Sequence, residues 1–478
     1  MPLFIIIITP IVALVLSFSV KKKADNLGWV ALAASIIELL ASLAVVAEVV
    51  RTGSYSWTPY LSVDPLGAIM IIVLALIGFA ASWYSIGYLR TEVAKKIIGF
   101  HRVKQYFILL NLFLLAMYFA IITTNPILMW IAIEATTLST AFLISFYNKP
   151  SAMEAAWKYL IINSVGLLLA FFGTLLFLYP SLSAGHTGLI NWHTILSNVS
   201  TFNPLVAKTA FIFVLIGYGT KVGLVPMHTW RPDTYSKAPI PIVALFSSAL
   251  LNIAFFAILR FKAVTDLTLG VQFSQGLLLF IGLISILLAA FSIFGQKNYK
   301  RLLAYSSIEH AGIMALGFGF GGIGAVAALL HMVYHSLVKS FLFLSSGNIF
   351  LKYSSTKMAK VKNMLKILPV TSIIFVIGFL AITGVPPFGI FVTEFSILSA
   401  GIHAHPAIVI TALLGMVLVF VGFLKHTVSM LYGEGDKDIP QGEVGAWTIA
   451  PIMFLVIIFV ISSFFIPQAV RLLLNSAF

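Results

Sequence analysis

The chain has 478 residues, 60% of them hydrophobic and 9% charged, with 29 Lys and Arg against 15 Asp and Glu. Soluble domains carry about 25% charge, so this composition excludes a soluble globular protein and demands lipid. Cysteine is absent, which excludes disulfides, thiolate metal sites and Fe–S clusters within the chain and assigns any redox cofactor to a partner.

Apolar runs of about 18 or more residues mark membrane helices, whereas a β-barrel would show short alternating segments. Fourteen spans are predicted, at 2–20, 28–50, 65–89, 106–123, 126–147, 153–179, 205–229, 239–261, 272–295, 302–320, 323–350, 367–397, 406–430 and 446–474. The first lacks a basic n-region and is followed by Lys21, Lys22 and Lys23, so it reads as a retained span rather than a cleaved signal. The expected fold is an all-α polytopic membrane protein with a single membrane domain over 1–478. No lateral helix is expected after the last span.

Charge placement tests the count. With the N-terminus outside, most of the 29 basic residues fall in inside loops, among them Lys21, Lys22, Lys23, Arg90, Lys95, Lys96, Arg231, Lys300, Arg301 and Lys437. Only Arg51, Lys208, Arg260, Lys262 and Arg471 fall at outside ends. Both termini are thus expected outside the cell membrane, and the net charge of +14 calls for no nucleic-acid partner.

Three lysines remain inside spans: Lys158, Lys221 and Lys339. A charge at the bilayer centre costs about 2.5–3.5 kcal/mol, so such groups are functional candidates. Lys158 lies near a helix end and is also placed to snorkel. Lys221 and Lys339 lie deeper. Glu134, in "WIAIEATT", wants a cation or a proton. Glu394 follows "GVPPFGIFVT", and Glu309 adjoins His310. Glu38 stands alone in the second span, and Glu154 sits near a helix end facing water.

"HMVYHSLVK" places His331, His335 and Lys339 at steps of four, one spiralling stripe with about 6 Å of rise per step. Histidine titrates near neutral pH, so the stripe reads as a proton relay. Two satisfied polar residues packed between helices are the bland alternative. A metal is the other, although no third ligand is evident, and no metal site is expected.

Two spans are interrupted, at Gly223–Pro226 and Gly384–Pro387. Proline in a helix frees a carbonyl, which in lipid is tolerated only where the backbone is buried in protein or lines a wet cavity. Broken helices at matching positions of two repeats mark transporter ion sites. Both breaks read Gly-x-x-Pro, "IAIEATT" answers "SSIEHAG", and Lys158 answers Lys339. Two inverted five-helix repeats follow: spans 4–8 over 105–264 and spans 9–13 over 270–430, preceded by three helices over 1–104 and followed by one over 440–478.

These stretches resemble a known family. "GYGTKVGLVPMHTWRPDTYSKAPIPIVALFSSALLN", "WIAIEATTLSTAFLISFYNKPSAMEAAWKYLIINSVG", "KRLLAYSSIEHAGIMALGFGFGG", "HMVYHSLVKSFLFLSSGNIF" and "LAITGVPPFGIFVTEFSIL" are similar to the antiporter-like subunits shared by complex I, Mrp-type antiporters and membrane-bound [NiFe] hydrogenases, most of all the hydrogenase-4 F-type subunit. The resemblance covers about residues 60–400. It implies that Glu134 pairs with Lys221 on a broken seventh helix, that Lys339 is the central lysine of the second half, and that Glu394 ends the route on a broken twelfth helix. Many relatives carry a lysine where this chain has Asn252, which leaves His228, Ser247 and water to bridge the halves.

The resemblance implies a proton- or sodium-translocating subunit of a redox-driven complex, itself without cofactor or catalytic residues. NiFe and Fe–S centres would lie on partner subunits. Partners would be further membrane subunits, one of them antiporter-like or small and multi-helical, and a soluble redox arm. Two alternatives stay open: a subunit of an Mrp-type Na⁺/H⁺ antiporter, or a non-pumping scaffold for a soluble oxidoreductase arm.

Overall fold

The structure is a computed structural model that describes residues 1–21, 24–183, 190–434 and 439–477. Lys22, Lys23 and Lys437, expected in inside loops, lie outside the described residues. The helices are α1 (Pro2–Ser19), α2 (Ala24–Thr52), α3 (Pro65–Ala94), α4 (Phe100–Ile122), α5 (Pro126–Ile144), α6 (Pro150–Ser183), α7 (Trp192–Ser197), α8 (Pro204–Val222), α9 (Trp230–Lys237) and α10 (Ile240–Leu245). They continue as α11 (Leu251–Leu269), α12 (Val271–Phe294), α13 (Tyr299–Phe320), α14 (Gly322–Tyr353), α15 (Met364–Ile367), α16 (Pro369–Ile382), α17 (Gly389–Gly401), α18 (Pro406–Leu431), α19 (Ala446–Phe464) and α20 (Gln468–Ser476). A π-helical turn, Phe246–Leu250, fuses α10 to α11. One hairpin, β1 (Tyr55–Thr58) against β2 (Leu61–Val63), joins α2 to α3.

Twelve of these helices, counting α10–α11 as one, are long and apolar enough to cross a membrane. The charged α13 and the broken pair α16–α17 occupy the remaining predicted spans. The helix starts are written locally. Asp64, Asn125 and Asn203 each precede a proline at the first helical position and accept a backbone N–H of the first turn. Such a proline lacks only a hydrogen bond that the helix could not make there.

Two predicted spans stop well short of their expected ends. The seventh span was expected to reach 229, but α8 stops at Val222 because Gly223 adopts φ +78. The fourteenth was expected to reach 474, but α19 stops at Phe464 and α20 is separate. Pro467 lacks an N–H and disfavours helix in the residue before it.

The central layer is Ile240–Leu269, with its most apolar stretch wholly buried, flanked by α14 and α3. Around it α12 packs on α13 and α6 on α8. Both pairs close on glycine: a side chain on Gly312 would strike the Gly282 carbonyl, and one on Gly217 would strike α6 at Gly166 and Ala170. Small residues let membrane helices approach this closely. Phe142, Phe280 and Phe291 stay exposed, as lipid-facing positions do.

Candidate ion-translocation site

Lys221 lies in the last turn of α8 and is 1% exposed. Its Nζ donates to Thr137 Oγ1 and to Tyr159 OH, each at 2.8 Å, and sits 5.0 Å from the Tyr159 ring centroid. Thr137 in turn donates to Glu134 Oε2 at 3.3 Å, and Ser164 donates to Glu134 Oε1 at 3.3 Å. The expected partnership of Glu134 and Lys221 is therefore indirect, carried by a hydroxyl one helical turn from the carboxylate. Tyr159 continues the line by sharing a hydrogen bond with Thr140 at 2.8 Å.

Lys158 is the neighbour of Tyr159, and one residue turns a helix by about 100°. Tyr159 therefore points inward while Lys158 is 47% exposed, paired to Glu154 at 2.6 Å and to Asp233 at 3.3 Å. Asp233 also holds Arg301.

Arg231 was counted among the inside-loop cations, yet it is fully buried. After the break α9 packs against α6 and α13, and the guanidinium donates to the Val222 carbonyl, the last of α8. A side chain on Gly223 would collide with it. It stacks 5.7 Å from the Trp230 centroid and 5.6 Å from that of Tyr235. Its Nε and Nη1 have no protein partner among the described residues.

Past the first break, His228 Nδ1 lies 3.2 Å from the Pro226 carbonyl. Asn252 donates to Ser336 Oγ on α14 at 2.8 Å, and its Oδ1 has no protein partner among the described residues. Ser247 turns back to Ala244 O at 3.1 Å. Asn252–Ser336 thus ties α11 to α14 one residue from His335.

The stripe on α14 is interleaved by a neighbour. His310 of α13 stands between His331 and His335, with ring centroids 5.1 Å and 5.2 Å away, whereas His331 and His335 are 6.4 Å apart. His310 Nδ1 meets His331 Nε2 at 2.9 Å, and His331 Nδ1 meets Thr393 Oγ1 at 2.8 Å. His310 Nε2 reaches the Ile382 carbonyl, the last of α16, at 2.8 Å. Glu394 Oε1 lies 3.9 Å from His310 Nδ1. Neither nitrogen of His335 has a partner among the described residues. Lys339 is buried and donates to Leu303 O at 3.0 Å, while Glu309 beside His310 is buried with Oε2 unpaired among the described residues.

Residues 123–420, more than half of the chain, match the family described as NADH:quinone oxidoreductase/Mrp antiporter, transmembrane. The chain belongs to that family. It is 34% identical to a hydrogenase-4 component F homolog of Methylacidiphilum infernorum over 91% of this chain and 90% of that one. A chain of the membrane-bound sulfane sulfur reductase, an archaeal respiratory membrane complex, superposes with a TM-score of 0.87 at 24% identity, covering all of this chain and 96% of that one. A chain of the Mrp complex from a Dietzia species gives 0.86 at 20% identity, again over all of this chain and 96% of that one. These two likenesses show the shared fold.

Sequence reasoning passed over Thr137, Tyr159, Arg231 and Thr393. Thr137 alone carried a signal, lying three residues after Glu134 and hence on the same helical face. Glu38, singled out in the second span, is buried apart from this line, with Oε1 unpaired among the described residues.

Proposed function

We propose that this chain is the ion-translocating subunit of a redox-driven, multi-subunit membrane complex and that it moves protons. The observation that carries the reading is Lys221, buried in a membrane helix and wired through Thr137 to Glu134. Burial keeps the lysine's charge state sensitive to its carboxylate, so a partner that shifts the distance between them shifts proton affinity. The route runs Glu134, Lys221, the Asn252–Ser336 junction, Lys339 and the His310–His331 pair, and ends at Glu394. Asn252 does not titrate, so the junction passes protons through hydrogen-bonded groups and water.

The similarity to a hydrogenase-4 component F homolog favours a redox complex, whose NiFe and Fe–S centres would sit on a soluble arm, since this chain has no cysteine. Its membrane neighbours would include a further antiporter-like or small multi-helix subunit. The basic-residue bias supports both termini outside the cytoplasmic membrane. The matching Gly-x-x-Pro breaks support two inverted repeats over 105–264 and 270–430. The family, which is described for Mrp antiporters as well as NADH:quinone oxidoreductases, supports a second reading, a Na⁺/H⁺ antiporter subunit without a redox partner.

Reconstitution of the purified complex in proteoliposomes tests the proposal through substrate-driven proton uptake. Lys221→Ala is expected to abolish uptake, and normal pumping in that variant would overturn the mechanism. Co-purifying nickel and Fe–S partners are expected; their absence would favour the antiporter.

A further inference from the structure

The sequence suggested a metal only for His331 and His335, with no third ligand. The fold assembles another set: His310 Nδ1, His331 Nε2 and a Glu394 carboxylate oxygen lie within 4.8 Å of one another, in three buried residues from α13, α14 and α17. Hydrogen bonding dictates the ring tautomers. A carbonyl only accepts, so His310 Nε2 carries the proton it gives to Ile382 O at 2.8 Å. Thr393 spends its hydroxyl proton on Ile390 O at 2.8 Å, so its oxygen accepts from His331 Nδ1 at 2.8 Å. A neutral imidazole with one nitrogen protonated leaves the other bare. The bare nitrogens are His310 Nδ1 and His331 Nε2, which face each other at 2.9 Å. Two lone pairs at that distance repel, and a cation between them turns the repulsion into attraction. Glu394 Oε1, 3.9 Å from His310 Nδ1, supplies negative charge.

We propose that His310 Nδ1, His331 Nε2 and Glu394 form a binding site for a divalent transition-metal ion of the zinc class. Two imidazoles and a carboxylate are a donor set that Zn²⁺ takes, leaving a fourth position open. With bonds of about 2.05 Å, nitrogens 2.9 Å apart subtend about 90° at the metal. A ring shift of about 0.4 Å widens that to the tetrahedral angle. The far nitrogen of each ring is already anchored, to Ile382 O and to Thr393, as metal-binding histidines usually are. A side chain on Gly384 would strike the Glu394 carboxylate, so the acid lies directly under the second break. Pro386 and Pro387 of that break are exposed at the surface of the chain. A bound ion would occupy the lone pairs and the carboxylate that the proposed function assigns to protons, and so would stop translocation. The inference about binding stands apart from that reading.

The test is titration of the full-length chain in lipid nanodiscs with Zn²⁺ and with Co²⁺, where no cysteine competes. Wild type is expected to take one more tightly bound Zn²⁺ than the His310→Gln/His331→Gln variant, and to show the intense visible Co²⁺ band of a four-coordinate site. Thr393→Val, which frees only the outer anchor, should weaken Zn²⁺ binding about 10–100-fold. Equal Zn²⁺ uptake by wild type and the double variant would mean that a proton alone bridges the rings, and would overturn the proposal. Should the double variant misfold, Glu394→Gln decides: unchanged Zn²⁺ affinity overturns the site. No transport assay enters these readouts, so failure of the metal site and failure of the translocation reading are distinguishable.

Discussion

At the first helix break the last carbonyl of α8, Val222 O, accepts from Arg231; at the second the last carbonyl of α16, Ile382 O, accepts from His310. Each break turns on a glycine with positive φ, +78 at Gly223 and +68 at Gly384, and each is followed by Pro226 or Pro387. A helix C-terminus carries partial negative charge, so a basic side chain suits both ends. The two bases differ in kind. A guanidinium carries a fixed positive charge, whereas a neutral imidazole donates one N–H and keeps a lone pair on its other nitrogen. What seats against each glycine differs as well: the Arg231 guanidinium at Gly223, the Glu394 carboxylate at Gly384. One backbone device thus builds a cationic end beside Lys221 and an imidazole-capped, carboxylate-bearing end beside the histidines.

The largest expected effect separates the two ends by function. Lys221→Ala should cut proton flux by about 100-fold or more, the scale on which a positioned proton-transfer group acts, read as fluorescence quenching in proteoliposomes. Glu394→Gln is expected to match it if both breaks lie on one route; full flux in that variant would confine the route to the first half.

Thr137→Val comes next. It removes the hydroxyl between Lys221 and Glu134, and a hydrogen bond to a charged group is worth about 1.5–3 kcal/mol. Flux is expected to fall about tenfold with the fold intact. An unchanged rate would show that Lys221 and Glu134 act without the bridge.

The glycines sharpen the contrast at smaller cost. Gly223→Ala and Gly384→Ala each impose a left-handed backbone on a side chain, about 1–2 kcal/mol, seen as a lower unfolding midpoint in detergent. Only the Gly384 variant is also expected to displace Glu394 and lower the flux directly. The smallest effect belongs to Lys158→Ala, whose side chain is half exposed; flux should match wild type. Tyr159→Phe, one residue on, removes an acceptor of Lys221 and should slow it.

Much of this site was legible. Lys221, Lys339, Glu134 and Glu394 stood out because charge in an apolar run is costly, and the breaks stood out because Gly-x-x-Pro cannot continue a helix. Arg231 was not legible: a basic residue in "HTWRPD", just past a span, has the local signature of a loop cation. Lys158 was legible only in part: near a helix end it reads equally as a route residue or as a snorkelling one, and the helix phase that turns Tyr159 inward leaves it 47% exposed. His335 looked like the neighbour of His331 at four residues' spacing, but a ring from α13 lies nearer to both.

By itself the sequence determined the membrane class, the helix starts and the positions of both breaks. Those follow from local physics, namely the length of apolar runs, side-chain caps and the backbone limits of glycine and proline. Only the tertiary structure decided which polar groups meet. Lys221 on Thr137, Arg231 on the last carbonyl of α8, and His310 and Glu394 gathered on His331 are all contacts between different helices. Helix phase and packing angle set such contacts, and residues far apart in the chain carry no local record of them.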